Sequence, residues 1–582
     1  MRSQWNPSKT QVSAKNNVVT AMHPLAAEAG SHILRSGGNA VDAAVATGFA
    51  ICVVEPFMAS IGGVGYMLFH ERKSGKTYSI DYGPRAPMDA WDSMYQLDDT
   101  ESSPYIGLGG VKGQENVRGY RSVGVPGVVA GLCYALKRFG TLPIGQVLEP
   151  AIHYAKYGFQ TNWHTTLTIA SSMDLIRNNS SAAATYLPNQ RPPSHWPSPE
   201  IFKQAYLADV LELLVKKGVD VFYKGDIAAS IGDEFANNAG LLSVKDLERY
   251  QVACTESLQT DYRSLKIHAV PQANGSFTVL QALKVLSHFD LFSLGHNSIE
   301  YLHLIAETLR HVFADRYHFM GDPEFESVPM RGMLNLEYSK KIADSVSKDK
   351  TQFMLGKDIE PWIVYSDEAI HNPWDFEGVQ SGSYSKQICY RDSDLGDCTT
   401  HFNVVDSDRN TVSCTQTAVS LFGSGIVVPD TGILMNNSMI WFNPRPGYVN
   451  SIAGYKRPLV NMSPLLATSN KEPVFALGAP GGRKIISAVL QVLLNIVDFN
   501  YEIQAAIEKP RIDASGAEIL LDMRCGAQTE KKLRQLGHQT RSVEETPGDA
   551  SFARPSGVMI SGEDGLLTAG VDPFRIADAI GD

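Results

Sequence analysis

The stretch "GDCTTHFNVVDSDRNTVSCTQT", Gly396 to Thr417, gathers hydroxyl groups where a polar run ends in two threonines that open a strand. If "VVDSDRNTV" turns about Asp408, Thr399 opposes Thr417 and His401 opposes Thr415. One polar face then collects Thr399, His401, Thr415 and Thr417, while Phe402, Val404, Val412 and Cys414 face the core. A threonine hydroxyl is a weak nucleophile without a base beside it, and the α-amine of the same residue can supply one. That requires the Cys398–Thr399 bond to be cut; an α-amine with a pKa of about 7.7–8.0 then accepts a proton near neutral pH. Taken alone, a Thr–Thr cross-strand pair is an ordinary β pair.

A second stretch, "GAPGGRKI", places Gly481 and Gly482 at a strand-to-helix turn. Two such glycines can aim backbone N–H groups into a cleft beside the positive end of the next helix, which is what an oxyanion hole needs. They serve equally to let strand and helix pack closely. The stretch departs from a phosphate loop at Ile485, where Ser or Thr should follow the lysine, and "GLGGVKG" lacks the third glycine of a dinucleotide fingerprint. No G-x-S-x-G, H-E-x-x-H or C-x-x-C occurs, and the fifteen histidines are scattered, so neither a metal cluster nor a cofactor is expected.

Around these stretches the pattern is α/β. Residues 24–54 read as two helices separated by "SGG", the second apolar on nearly all sides and capped from Asn39 and Asp42. "YMLFHERKSGKTYSIDYG" reads as a hairpin, 127–160 and 206–217 as helices, and "GHNSIEYLHLIAETLRHVFADRYHFMGDP" as a long helix capped by Asn297 with Glu300 and ended by Gly321 and Pro323. Periodicity fades from Asp344 to Asp397, and "EGVQSGSYSKQICYRDSDLGD" reads as an exposed loop and a boundary. Strands follow at 399–406 and 411–417, and "VFALGAPGGRKIISAVLQVLLNIVDF" gives a strand, a glycine turn and a buried helix.

The 582 residues suffice for one or two domains with a sizeable core; 43% are hydrophobic and 19% charged. A net charge of −11, a pI near 5.8 and the lack of any Lys/Arg run argue against a nucleic-acid partner. Seven cysteines without close pairing suit reduced thiols in a cytoplasm, no secretory signal is visible, and no apolar run is long enough to span a bilayer.

Nine stretches in order resemble the gamma-glutamyltranspeptidase-like (glutathione hydrolase-like) N-terminal nucleophile hydrolases: "SGGNAVDAAVA", "EPFMASIGGVGYML", "GVPGVVAG", "HLIAETLRHVFADRYHFMGDP", "TTHFNVVD", "FGSGIVVPDTGILMNN", "KRPLVNMSP", "PGGRKI" and "EKPRID". The resemblance implies an αββα sandwich, a single large domain made as a proenzyme that cuts itself into two subunits which stay associated. Here these would be 1–398 and 399–582. It implies Thr399 as nucleophile, Thr417 as the threonine that hydrogen-bonds its hydroxyl, and Gly481 and Gly482 as the oxyanion pair.

The glutamyl-binding positions depart from the family. Val419 of "TAVS" stands for the asparagine of "TLN", and Ser438 and Trp441 of "NNSMIWF" stand for the Gln and Asp of "NNQMDDF". Val460 and Asn461 replace the serine pair of "KRPLSSMSP". The carboxylate-gripping arginine of "REMAP" aligns with Gly83, while Arg85 lies two residues on. A buried ammonium without its carboxylate would cost several kcal/mol. The expectation is therefore a self-processing hydrolase of a small-molecule amide or peptide with a more apolar acyl pocket, hydrolysing more than transferring. True γ-glutamyl transfer is the alternative within the family, and an uncleaved, non-catalytic binding protein is the alternative outside it.

Overall fold

Alternating residues in "TTHFNVVDSDRNTVSCTQT" fold as a hairpin whose strands, Thr400–Val405 and Thr411–Thr417, pair antiparallel with His401 opposite Thr415 and Phe402 opposite Cys414. The register is the one expected from the turn about Asp408. The computed structural model describes residues 7–98, 110–271, 273–352, 372–378, 398–516, 518–548 and 551–582. The exposed loop expected at 377–397 lies mostly outside the described residues, which leave out 379–397.

The hairpin is the centre of a seven-stranded antiparallel sheet ordered Asp578–Gly581, Val18–Ala21, Thr400–Val405, Thr411–Thr417, Val64–Glu71, Lys76–Tyr82, Ala253–Glu256. A second seven-stranded antiparallel sheet runs Val12–Ala14, Leu567–Val571, Ser556–Ile560, Glu472–Gly478, Leu465–Ser469, Leu265–Ala269, Leu258–Tyr262. The sheets pack face to face, and helices cover both outer faces, which makes the αββα sandwich.

On the outer face of the first sheet lies Ala40–Val54, every residue of it buried, as an all-round apolar helix must be. Asn39 and Asp42 form its capping box, and the Asp406 carboxylate from the hairpin accepts the Ala40 N–H at 2.9 Å. Asp42 also accepts from Thr141 and Leu142, so the helical stretch expected at 127–160 breaks there into Val128–Phe139 and Ile144–Tyr157. Gly275–Leu286 and Lys484–Val497 cover the second sheet.

The long helix, Ile299–Phe319, is capped differently from expectation. Asn297 has φ +54° and turns its carboxamide to the Pro510 carbonyl, so extended Ser298 is the N-cap and accepts from the Tyr301 N–H. The hairpin's polar face is also no solvent face: His401, Asn403, Ser413 and Thr415 point between the sheets and are fully buried. Because strands from the first 398 residues flank the hairpin on both sides, removing it would leave two rows of buried backbone groups unpaired, at about 1–3 kcal/mol each.

Candidate active site

At the start of the hairpin the Thr399 hydroxyl hydrogen-bonds the carbonyl of its own preceding residue, Cys398, and lies 3.4 Å from the Thr417 hydroxyl. Thr417 Oγ1 donates to the same carbonyl at 3.1 Å and accepts the Val419 N–H at 2.8 Å. One peptide carbonyl thus sits between two hydroxyls. Thr399 is 4% exposed, Thr417 not at all.

The turn after the buried helix holds this arrangement from behind. The Cys398 thiol lies 3.0 Å from both the Phe57 and Met58 carbonyls, Ala418 N–H donates to Met58 and Phe422 N–H to Phe57. The residue before Thr399 and the residue after Thr417 are therefore fastened to one turn. Beneath it, buried Glu55 lies 3.3 Å from His164 Nδ1, whose other ring nitrogen contacts Arg575. Burial pushes the Glu55 carboxyl up to about 7 and the His164 imidazole well down.

Val419 has φ +90°, an outlier for a β-branched residue, and its amide reaches Thr417 only because the chain turns so sharply there. Asn437 supports the turn, accepting from Ser420 N–H and donating to the Val117 carbonyl. Asn436 bridges Gly62 and Gly124 and accepts from Ser438 N–H. No role for these two residues was expected from the sequence, where the paired asparagines of "MNN" after a strand are the available signal.

His401 bonds Thr415 at 2.8 Å and Asn403 at 3.0 Å, and burial pushes its imidazole down to about 3. Its ring packs on Gly478, where any Cβ would collide, and Ser413 donates to the Leu477 carbonyl. Continued along both strands, this pairing carries Thr399 and Thr417 toward the turn after Gly478. There Gly481 (φ +138°) and Gly482 (φ +56°) adopt conformations that side chains disfavour, with Gly481 pressed on Ala553.

Val419, Trp441 and Val460 belong to the same large hydrophobic core cluster, as do Tyr66 and Leu459, each at most 6% exposed. Asn450 joins two walls of that cluster, donating to the Trp441 carbonyl at 2.7 Å and accepting from Leu459 N–H at 2.9 Å. Ser438 is buried against Gly124. The Asn461 carboxamide oxygen faces Arg316, which also grips the Val460 carbonyl. The Arg85 guanidinium pairs with Glu324, donates to the Tyr455 carbonyl and lies over the Tyr455 ring. Arg457 holds the same Glu324 carboxylate, which these partners keep at about 2 despite partial burial.

The histidines are less scattered than the chain order implies. His303, Glu307 and His538 converge, all buried, and burial, Arg310 and His303 push the His538 imidazole down to about 2. His303 and Glu307 stand one helical turn apart, which the sequence does display; His538, 235 residues away, has no such signal.

The sandwich with a threonine opening a central strand defines the class: an N-terminal nucleophile hydrolase fold. A family model described as gamma-glutamyltranspeptidase matches residues 26–581, and the chain belongs to that family. It is 34% identical over 570 residues to a glutathione hydrolase proenzyme of Bacillus subtilis (strain 168), covering 97% of this chain and 92% of the relative. It is 33% identical over 555 residues to the acylase ACY 1 proenzyme of Pseudomonas sp. (strain SE83), covering 95% and 92%. Among solved structures, a cephalosporin acylase from Bacillus halodurans superposes with a TM-score of 0.84 at 25% identity, over 100% of this chain and 98% of that one. Among the described residues no helix is long and apolar enough to cross a membrane.

Proposed function

We propose that this chain is a self-processing amide hydrolase whose first substrate is its own Cys398–Thr399 bond. The observation that carries the reading is the Cys398 carbonyl held between the Thr399 and Thr417 hydroxyls. Attack of Thr399 Oγ1 on that carbonyl carbon moves the Cys398 acyl group from nitrogen to oxygen, and the hydroxyl proton passes to the departing nitrogen. Water then hydrolyses the ester, leaving a Cys398 carboxylate, a free Thr399 α-amine, and subunits 1–398 and 399–582. The word proenzyme in the relatives' names favours this sequence of events.

In the cut enzyme Thr399 attacks an amide carbonyl while its α-amine takes the hydroxyl proton and returns it to the leaving amine. The Gly481 and Gly482 N–H groups stabilise the oxyanion, and water releases the acyl group from Thr399. Thr417 keeps the nucleophile oriented.

The acyl pocket is read as apolar. Val419, Trp441 and Val460 share a cluster, and Arg85 is already paired with Glu324 rather than presented as a lone cation. Likeness to acylases favours an acyl group other than glutamate, while likeness to glutathione hydrolases keeps γ-glutamyl substrates as the second reading. Purified enzyme assayed on N-acyl anilides and on a γ-glutamyl anilide separates them. Preference for apolar acyl anilides is expected; strong preference for the glutamyl compound would overturn the pocket assignment. No turnover of any amide by a chain that stays whole would identify a binding protein instead.

A further inference from the structure

We propose that His303, Glu307 and His538 form a site for one divalent transition-metal ion of the zinc class, joining the helix Ile299–Phe319 to the turn that follows the helix Ala527–Gln535. Their candidate ligand atoms all lie within 4.8 Å of one another, and all three side chains are buried. Two imidazoles and a carboxylate are a ligand set that zinc accepts, with water in the fourth position.

The hydrogen bonds fix the tautomers. His303 Nε2 lies 2.7 Å from the Ser347 carbonyl, which can only accept, so in neutral His303 the proton is on Nε2 and the Nδ1 lone pair is bare. That Nδ1 lies 2.6 Å from His538 Nε2, which must then donate, leaving His538 Nδ1 buried and without a hydrogen-bond partner among the described residues. Metal binding here requires no net proton release. The His538 proton moves from Nε2 to Nδ1, and the two freed lone pairs, Nδ1 of His303 and Nε2 of His538, take the ion. The nitrogens need only part from 2.6 Å to about 3.3 Å, the edge of a tetrahedron with bonds of about 2.0–2.1 Å.

Outer contacts already orient the ligands: Ser347 for His303, and the Thr351 hydroxyl and Gln352 N–H for the Glu307 oxygens. Arg310 lies one turn further along the helix and adds positive charge beside His538, so a single carboxylate does not neutralise the site, which holds the affinity down. On the proposed cut at Cys398, His303 and Glu307 belong to one subunit and His538 to the other, so the ion would fasten the two together. That consequence rests on the cleavage reading; binding itself does not.

The experiment titrates chelator-treated full-length protein with Zn2+ alone by calorimetry, in wild type and in uncut Thr399→Ala, and follows thermal melting with and without the ion. One ion per chain in both proteins, with a raised melting temperature, is expected. His538→Gln and Glu307→Gln, each measured against its own metal-free melting, should weaken binding about tenfold or more and lose the zinc-dependent rise. Absence of binding at ~1 mM Zn2+, or variants that bind as the wild type does, would overturn the proposal.

Discussion

Thr417→Ala separates two jobs of one hydroxyl. In the folded chain Thr417 Oγ1 accepts the buried Val419 N–H at 2.8 Å, and without it that amide, already at a strained φ of +90°, has no partner. The cost, about 1–3 kcal/mol, falls on ground and transition states alike and appears as lost stability. The bond from Thr417 to the Cys398 carbonyl behaves differently, because in the proposed cleavage that oxygen would become an oxyanion. A hydrogen bond to a charged acceptor is worth about 1.5–3 kcal/mol, and at 1.36 kcal/mol per tenfold its loss slows self-cleavage about 10- to 150-fold. The assay follows the uncut band over time after expression at low temperature, with urea unfolding of the Thr399→Ala background giving the stability term. Thr417→Ser should restore both rate and stability. Thr417→Ala cleaving at the wild-type rate, or Thr417→Ser as slow as Thr417→Ala, would refute the reasoning.

Three further outcomes are expected. Burial lifts the Glu55 carboxyl from 4.5 to about 7, so between these values the folded chain keeps a proton that the unfolded chain has lost. Stability from this group therefore falls as pH rises through that window, by up to about 3 kcal/mol, and Glu55→Gln should abolish the fall in urea titrations at about pH 5 and about pH 8. Asn450→Ala leaves the Trp441 carbonyl and Leu459 N–H unpaired, which should raise KM for apolar acyl anilides about tenfold while fragments still form; an unchanged KM would remove Asn450 from the pocket wall. Activity of the cut enzyme should decline below about pH 7 as the Thr399 α-amine protonates, and a profile flat down to about pH 5 would contradict that base.

Local patterns carried the parts of this fold that depend on neighbouring residues. Alternation on both sides of Asp408 set the hairpin register, Asn39 with Asp42 set a helix start, and two glycines marked the turn at 481–482. The helix start at Ser298 was misplaced by one residue because the left-handed φ of Asn297 is imposed by a carbonyl more than two hundred residues away. The same limit applied to the site. The two threonines were legible because the hairpin pairs them, whereas the clamp from Phe57 and Met58, the Arg85–Glu324 pair and the meeting of His303 with His538 follow from packing between distant segments. What covers the hairpin's polar face was not legible in its own alternation, because period two identifies a face without naming the sheet that packs on it.

Self-cleavage before Thr399 is the claim on which the rest depends, and intact mass spectrometry under denaturing conditions tests it directly. Active wild-type protein should give two polypeptides, 1–398 and 399–582, the second with threonine at its amino terminus, and Thr399→Ala should give one chain of 63.6 kDa. An active wild-type preparation that consists of that single chain would contradict the account.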